Sequence, residues 1–177
     1  MSQVVLEATG LKKAFGGNHV IDGVEFHLAA AELVALVGPN GAGKTSFLNL
    51  VSGQMRPNAG TIMLGGVDVT GLEPKAHKRR QLFRSYQNGG TFGKLTAVQN
   101  VAITGLVRDM DRKSAEAKAE EALKRVGLGP VADWPAERLS GGQRKLIDFA
   151  RLLLAKPAVA LLDEPTAGVN PAIMEVM

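Results

Sequence analysis

The stretch Gly38-Pro39-Asn40-Gly41-Ala42-Gly43-Lys44-Thr45 constrains this chain more than any other. It fills the pattern G-x-x-x-x-G-K-[ST] completely and follows directly on the apolar run Leu33-Val34-Ala35-Leu36-Val37. Its glycines let the backbone turn tightly and bring N–H groups up to phosphate oxygens. The helix expected from about Gly43, with Phe47, Leu48, Leu50 and Val51 as its apolar residues, turns the positive end of its dipole to the same charge. In that geometry Lys44 reaches the β and γ phosphates of a nucleotide, Thr45 sets its hydroxyl on Mg²⁺, and Ser46 helps to hold an α-phosphate oxygen. The plain alternative is a glycine-rich turn. The apolar strand before the motif and the helical pattern after it weigh against that alternative.

The flanking pattern is α/β. Residues 4–8 and 24–28 read as short strands, the second alternating with Val24, Phe26 and Leu28 on one face, and Phe15-Gly16-Gly17-Asn18 marks a turn between them. Residues 33–37 read as the strand that feeds the phosphate loop. The helix after the loop should stop near Gly53, and a further strand is expected over residues 61–64. Residues 96–126 turn mostly helical, with Ser114 as the expected N-cap of a helix whose Ala115, Ala119, Ala122, Leu123 and Val126 share a face. Glu120 with Lys124 and Glu121 with Arg125 are favourably oriented pairs on that helix. Leu139-Ser140-Gly141-Gly142-Gln143 opens another helix, along which Leu146, Phe149, Ala150, Leu153 and Leu154 repeat at helical spacing. After Lys156-Pro157 the run Val159-Ala160-Leu161-Leu162 has the length of a buried parallel strand. It delivers Asp163-Glu164 at its carboxyl end, where ligands of open α/β sheets bind, so both acids are expected to face the phosphate loop.

Bulk properties narrow the function classes. A chain of 177 residues, 45% hydrophobic and 21% charged, suits one soluble globular domain, and it holds no cysteine for a disulfide or thiolate site, which fits a reducing compartment. The amino-terminal residues lack the basic and apolar regions of a secretory signal, and no apolar run approaches bilayer length, so the chain is not expected to cross a membrane by itself. The formal charge of +4 discriminates little between anionic partners. The basic run Lys75-Ala76-His77-Lys78-Arg79-Arg80 reads as a solvated face, since no aromatic residues interleave it as a nucleic-acid surface would require. Trp134 reads as a packing residue, and His19, His27 and His77 as core or surface histidines.

The acidic pair supplies one carboxylate for Mg²⁺ and a second to polarise an attacking water, while Ser140 and the free amides at the next helix start form another anion site. One domain needs one γ-phosphate site, so two such sites point to a dimer in which each partner completes the other's pocket. With these residues in view the chain resembles the nucleotide-binding subunit of ATP-binding cassette (ABC) transporters over nearly its whole length. Residues 38–45 resemble the Walker A loop, Gln87 in Tyr86-Gln87-Asn88 the Q-loop glutamine, and Leu139 with Ser140, Gly141, Gly142 and Gln143 the signature motif. Residues 159–163 resemble Walker B, Glu164 the catalytic glutamate, and Ala167-Gly168-Val169-Asn170 the D-loop. Phe15 occupies the place of the ring that stacks on adenine. Phe15-Gly16-Gly17, Gln87-Asn88 and Gly168-Val169-Asn170-Pro171 are similar to ATPase subunits of branched-chain amino-acid-type importers.

The resemblance implies an α/β P-loop NTPase with a helical insert carrying the signature: a core of about residues 1–87 and 144–177, RecA-like with amino-terminal strands, and a helical subdomain of about 88–143. It implies ATP and Mg²⁺ as cofactors, bound by Phe15, by Gly38, Pro39, Asn40, Gly41, Ala42, Gly43, Lys44, Thr45 and Ser46, and by Ser140, Gly141, Gly142 and Gln143 of a partner. The metal falls to Thr45, Gln87 and Asp163; catalysis falls to Glu164, Gln87 and Lys44. Implied partners are a second ATP-binding subunit, identical or not, a transmembrane permease docked on residues 87–100 including Phe92, and indirectly a solute-binding protein; no nucleic acid is expected. The implied place is the cytoplasmic face of the cell membrane. Two departures stand out. Asn170 replaces the aspartate of many relatives, and the strand and switch histidine that follow the D-loop in the family do not occur here. The expectation is therefore ATP binding with poor turnover and an exposed sheet edge. The alternative is a nucleotide-binding module with little or no ATPase activity, and a soluble ABC-type ATPase acting on nucleic acid or ribosomes is a third class.

Overall fold

The computed structural model describes residues 3–79, 82–85 and 90–165. It divides into two compact units, Met1–Arg84 with Pro157–Leu161, and Ser85–Lys156 with Leu162–Met177.

In the first unit, strands β1 (Val4–Phe15) and β2 (Asn18–Ala29) form an antiparallel hairpin closed by Gly16-Gly17, and β1 pairs on its other edge with β3 (Ala59–Leu64), which pairs with β4 (Val67–Asp68). The first two strands run well past the expected 4–8 and 24–28. Polar residues such as Lys12 still find ladder partners on both sides, in Asp22 and Ala59. An irregularity between Ala8 and Leu11 shifts the side-chain alternation by one, so Leu6, Ala8 and Leu11 all enter the core. Helix α1 (Lys44–Val51) lays Phe47, Leu48, Leu50 and Val51 into that core, with Phe47 meeting Phe26 edge-on at 5.2 Å between centroids. A short parallel pair, β5 (Leu82–Arg84) and β6 (Val159–Leu161), completes the ladders among the described residues.

Residues 33–37 form no strand: Leu33 is 96% and Val37 89% exposed. A run apolar on both faces holds as a strand only when neighbours supply both its ladder and its cover. Among the described residues, the parallel ladder reaches only from β5 to β6.

Helix α2 (Pro74–Arg79) carries His77 into the core, where neither ring nitrogen makes a hydrogen bond of good geometry. The imidazole lies so close to Gly53 that a β-carbon there would come within 2.6 Å of Nε2. Gly53, two residues past the end of α1, is thus confined by packing as well as by its positive φ of 74°.

The second unit is helical: α3 (Ala97–Leu106), α4 (Arg112–Arg125) and α5 (Gly141–Ala155), with 3₁₀ turns at Gly129–Val131 and Ala136–Arg138. The expected face of α4 is buried, but its cap is Asp111, whose carboxylate accepts from Ser114 N at 3.0 Å. Asp111 wins over Ser114 because capping the helix three residues earlier adds a turn, and Arg112 and Glu116 pair across it at 2.8 Å. The expected border near residue 143 falls inside α5. The helix packs as one piece, since Leu146, Ile147, Ala150 and Leu154 all enter the core that it shares with α3 and α4.

Burial holds the His77 pKa below its ordinary 6.5, with the carbonyls of Val51, Leu72 and Val69 offsetting part of the effect. The unfolded chain then takes up this proton first, so stability present above pH 6.5 is lost as pH falls toward the lowered folded value. Thermal melts from pH 7.5 to 5 should show a steeper loss of midpoint for the native chain than for His77→Leu.

Candidate functional site

The phosphate-loop motif is realised as an exposed turn running into α1. Lys44 folds back over it, its Nζ donating to Gly38 O at 2.7 Å and Pro39 O at 2.8 Å, while Ala42 N donates to Pro39 O at 3.2 Å. The loop is thereby wound around an ammonium group. Gly43 is the N-cap of α1, with φ of 84°, and a β-carbon there would stand 2.8 Å from Val20 O and 3.0 Å from Ile21 Cδ1. Only glycine permits both that turn and that approach, so the start of α1 is seated against β2. The first helical bond runs from Phe47 N to Gly43 O at 2.8 Å, and no side chain caps the first turn. The amides there are left for an anion, with the Thr45 hydroxyl exposed beside them.

The starts of α3 and α5 are built differently. Thr96 with Gln99 and Ser140 with Gln143 form capping boxes: Ser140 Oγ accepts from Gln143 N at 3.2 Å and Ser140 N donates to Gln143 Oε1 at 2.9 Å. Within one chain the signature serine is satisfied as an N-cap, on an exposed corner with Gly141 beside it.

Asp163 and Glu164 lie beyond the carboxyl end of β6. Asp163 N donates to Ser85 Oγ at 3.1 Å, and Ser85 directly follows β5, so the parallel register continues through a side chain. Glu164 is exposed with φ of 47°, and its carbonyl accepts weakly from Lys145 Nζ at 3.5 Å. Both acids line a cleft with Ser85, Lys145 and Asp148. Burial pushes the Asp148 carboxyl above its usual value, against the pull of the Arg151 guanidinium 2.9 Å away. The loop residues 38–46 and Phe15 belong to the first unit, and Ser140, Asp163 and Glu164 to the second. Gln87 and the D-loop residues 167–170 lie outside the described residues. Among the described residues no three histidine, cysteine or acidic side chains gather as a metal cluster.

A family model described as ABC transporter matches residues 21–167. The chain belongs to the ABC transporter family. It is 33% identical to the high-affinity branched-chain amino acid transport ATP-binding protein BraF of Pseudomonas aeruginosa, over 97% of this chain and 73% of that protein. To the sulfate/thiosulfate import ATP-binding protein CysA of Bordetella bronchiseptica it is 36% identical, over 95% of this chain and 48% of that protein. The crystal structure of the ADP conformation of an ATP-binding cassette of an ABC transporter superposes with a TM-score of 0.85 at 26% identity, covering 99% of this chain and 74% of the other. The fold is thus the α/β P-loop NTPase fold of an ABC cassette, and membership makes the chain an ATPase cassette. Among the described residues no helix is long and apolar enough to cross a membrane.

One group in this ABC cassette was not foreseen. Asn100, fully buried, donates from Nδ2 to the carbonyls of Phe92, Leu95 and Thr96 at 3.0 to 3.1 Å and accepts at Oδ1 from Phe92 N at 2.8 Å. Arg151 of α5 donates to Asn100 Oδ1, to Asn100 O and to Gly90 O, each at 3.1 Å. An asparagine within the apolar face of α3, three residues after Ala97, is the only sequence sign of this knot. Asn100→Ala strands several buried donors and acceptors, so we expect it to lower stability by about 2–4 kcal/mol. Urea unfolding followed by helical circular dichroism checks this.

Proposed function

We propose that this chain binds and hydrolyses ATP as the nucleotide-binding subunit of an importer-type ABC transporter, working on the cytoplasmic face of the membrane through a permease. The uncapped start of α1 beneath the Lys44 ammonium is the observation that carries the reading. Three longer helices elsewhere (α3, α4 and α5) find their own oxygens, whereas this one leaves its first-turn amides open to an external anion. Identity to BraF, named for branched-chain amino acid transport, supports a cargo of that kind or a similar polar solute.

In this reading Lys44 and the loop amides neutralise the β and γ phosphates, and Phe15, 48% exposed at the end of β1, offers its ring to the base. The oxygen donors Thr45, Gln87 and Asp163 suit Mg²⁺, whose chemistry is to neutralise charge on the phosphates. Glu164 orients or deprotonates the attacking water. Ser140, Gly141, Gly142 and Gln143 act on the nucleotide of a second subunit, identical or not, with the dipole of α5 behind them. The stretch from Gln87 to Asn100 docks the permease, supported by the exposed ring of Phe92. A solute-binding protein is reached only through that permease.

Titration of ATP and a phosphate-release assay test the proposal on the whole chain. Lys44→Ala should weaken ATP binding at least tenfold. Glu164→Gln should leave ATP affinity within twofold yet slow hydrolysis by about 100-fold or more. Unchanged affinity in the first variant, or unchanged turnover in the second, overturns the corresponding role.

A further inference from the structure

The end of the β1–β2 hairpin is held more firmly than an exposed turn requires. Asn58 N donates to Lys12 O, Ala14 N donates to Asn58 Oδ1, and Lys13 Nζ donates to Arg56 O, each at 2.8 Å. Residues 56–58 thus grip three consecutive residues just before Phe15. The two adjacent lysines have different tasks. Lys12 is paired with Asp22 at 3.0 Å, while the Lys13 ammonium, tethered to the Arg56 carbonyl, stands 5.3 Å above the centroid of the Phe15 ring. An aromatic side chain left 48% exposed therefore has one face under a fixed cation.

The place of this arrangement matters. Lys13 pairs with Ile21 in the ladder, and Val20 and Ile21 are the residues that Gly43 abuts at the start of α1. Two residues along a strand span about 7 Å. The ring is thus a short step along one hairpin from the amides that open α1.

We propose that Lys13 is a positioning residue for the purine of the bound nucleotide: its tethered ammonium covers one face of Phe15 and fixes the ring so that the base stacks on the other. The proposal rests on the reading of Phe15 given under Proposed function, and adds a residue and a cause to it. A cation over one face of a phenyl ring is attracted by the ring's quadrupole, which holds the ring against rotation before the base arrives. A pre-oriented ring loses less freedom on binding than a free one. Lys13 and Phe15 lie outside the phosphate-loop residues 38–46, so the contribution of this mount should depend on the base being present.

Calorimetric titration of four proteins, the native chain, Lys13→Met, Lys13→Arg and Phe15→Ala, with Mg-ATP and separately with Mg-tripolyphosphate tests the inference. Lys13→Met should weaken ATP about three- to fivefold, the size of an exposed cation–π contact. Lys13→Arg should stay within twofold of native, and Phe15→Ala should weaken ATP about tenfold, as loss of one stacked base does. Tripolyphosphate should bind all four alike. If Phe15→Ala weakens ATP and Lys13→Met does not, the role of Lys13 is overturned while stacking stands. Equal loss of ATP and tripolyphosphate in Lys13→Met reduces Lys13 to a prop for the hairpin and also overturns it, as does failure of Lys13→Arg to restore affinity. Should Phe15→Ala itself leave ATP unchanged, the stacking reading fails and this inference with it.

Discussion

The close seat of Gly43 on β2 is the contact from which the nucleotide end of the first unit is built. A β-carbon at this residue would collide with a backbone carbonyl rather than with a yielding side chain, so the start of α1 cannot shift without moving the strand. That seat fixes where the first-turn amides point and where the loop that precedes them must close. Lys44 then supplies the charge around which the loop winds, through two carbonyls of its own backbone. Carbonyl oxygens hold an ammonium without neutralising it, so the positive charge stays available to phosphate. A carboxylate partner would have cancelled that charge.

Helix capping separates the two helix starts to which the proposed function gives anion-binding tasks. α1 begins at a glycine and offers bare amides, whereas α5 begins at Ser140, whose hydroxyl is engaged with Gln143 in a capping box. A hydroxyl accepting from one amide still has a proton to donate, so capping and contact with a partner's nucleotide are compatible for Ser140. In the proposed reading the first helix binds phosphate with its own chain alone. The second has its amides partly spent at home, which suits a contact made only when another subunit arrives.

What the sequence disclosed follows the range of the forces involved. The helix after residues 38–43, the helix start at Ser140, the apolar faces of α4 and α5 and the strand before Asp163 are local patterns, and each is found where its residues lie. Asp111 was harder to see, because Ser114 is an equally good cap by type and the choice turns on one extra helical turn. Residues 33–37 read as a strand on composition, yet a ladder is a property of pairs, and local pattern carries no information on the partner. The Asn100–Arg151 knot joins residues 51 apart, and Lys13 meets Arg56 across 43, so neither leaves a periodic trace. The assignments at Gln87 and residues 167–170 rest on the sequence resemblance.

The knot at Asn100 also bears on how a push at the proposed permease surface would travel within the second unit. Arg151 lies eleven residues from Ser140 on one uninterrupted helix, about 16 Å along its axis. Its guanidinium holds Gly90 and Asn100, and Asn100 in turn holds Phe92, Leu95 and Thr96, so the loop from 90 to 96 is fastened to α5 at several points. Hydrogen bonds to a charged group are each worth about 1.5–3 kcal/mol, and several together exceed what bending a short exposed loop releases. Displacing that loop therefore costs less by carrying α5 along than by tearing the loop from it. A helix moves as a rod, and Ser140 at its far end moves with it. The buried asparagine thus ties the loop to the same helix that begins at Ser140.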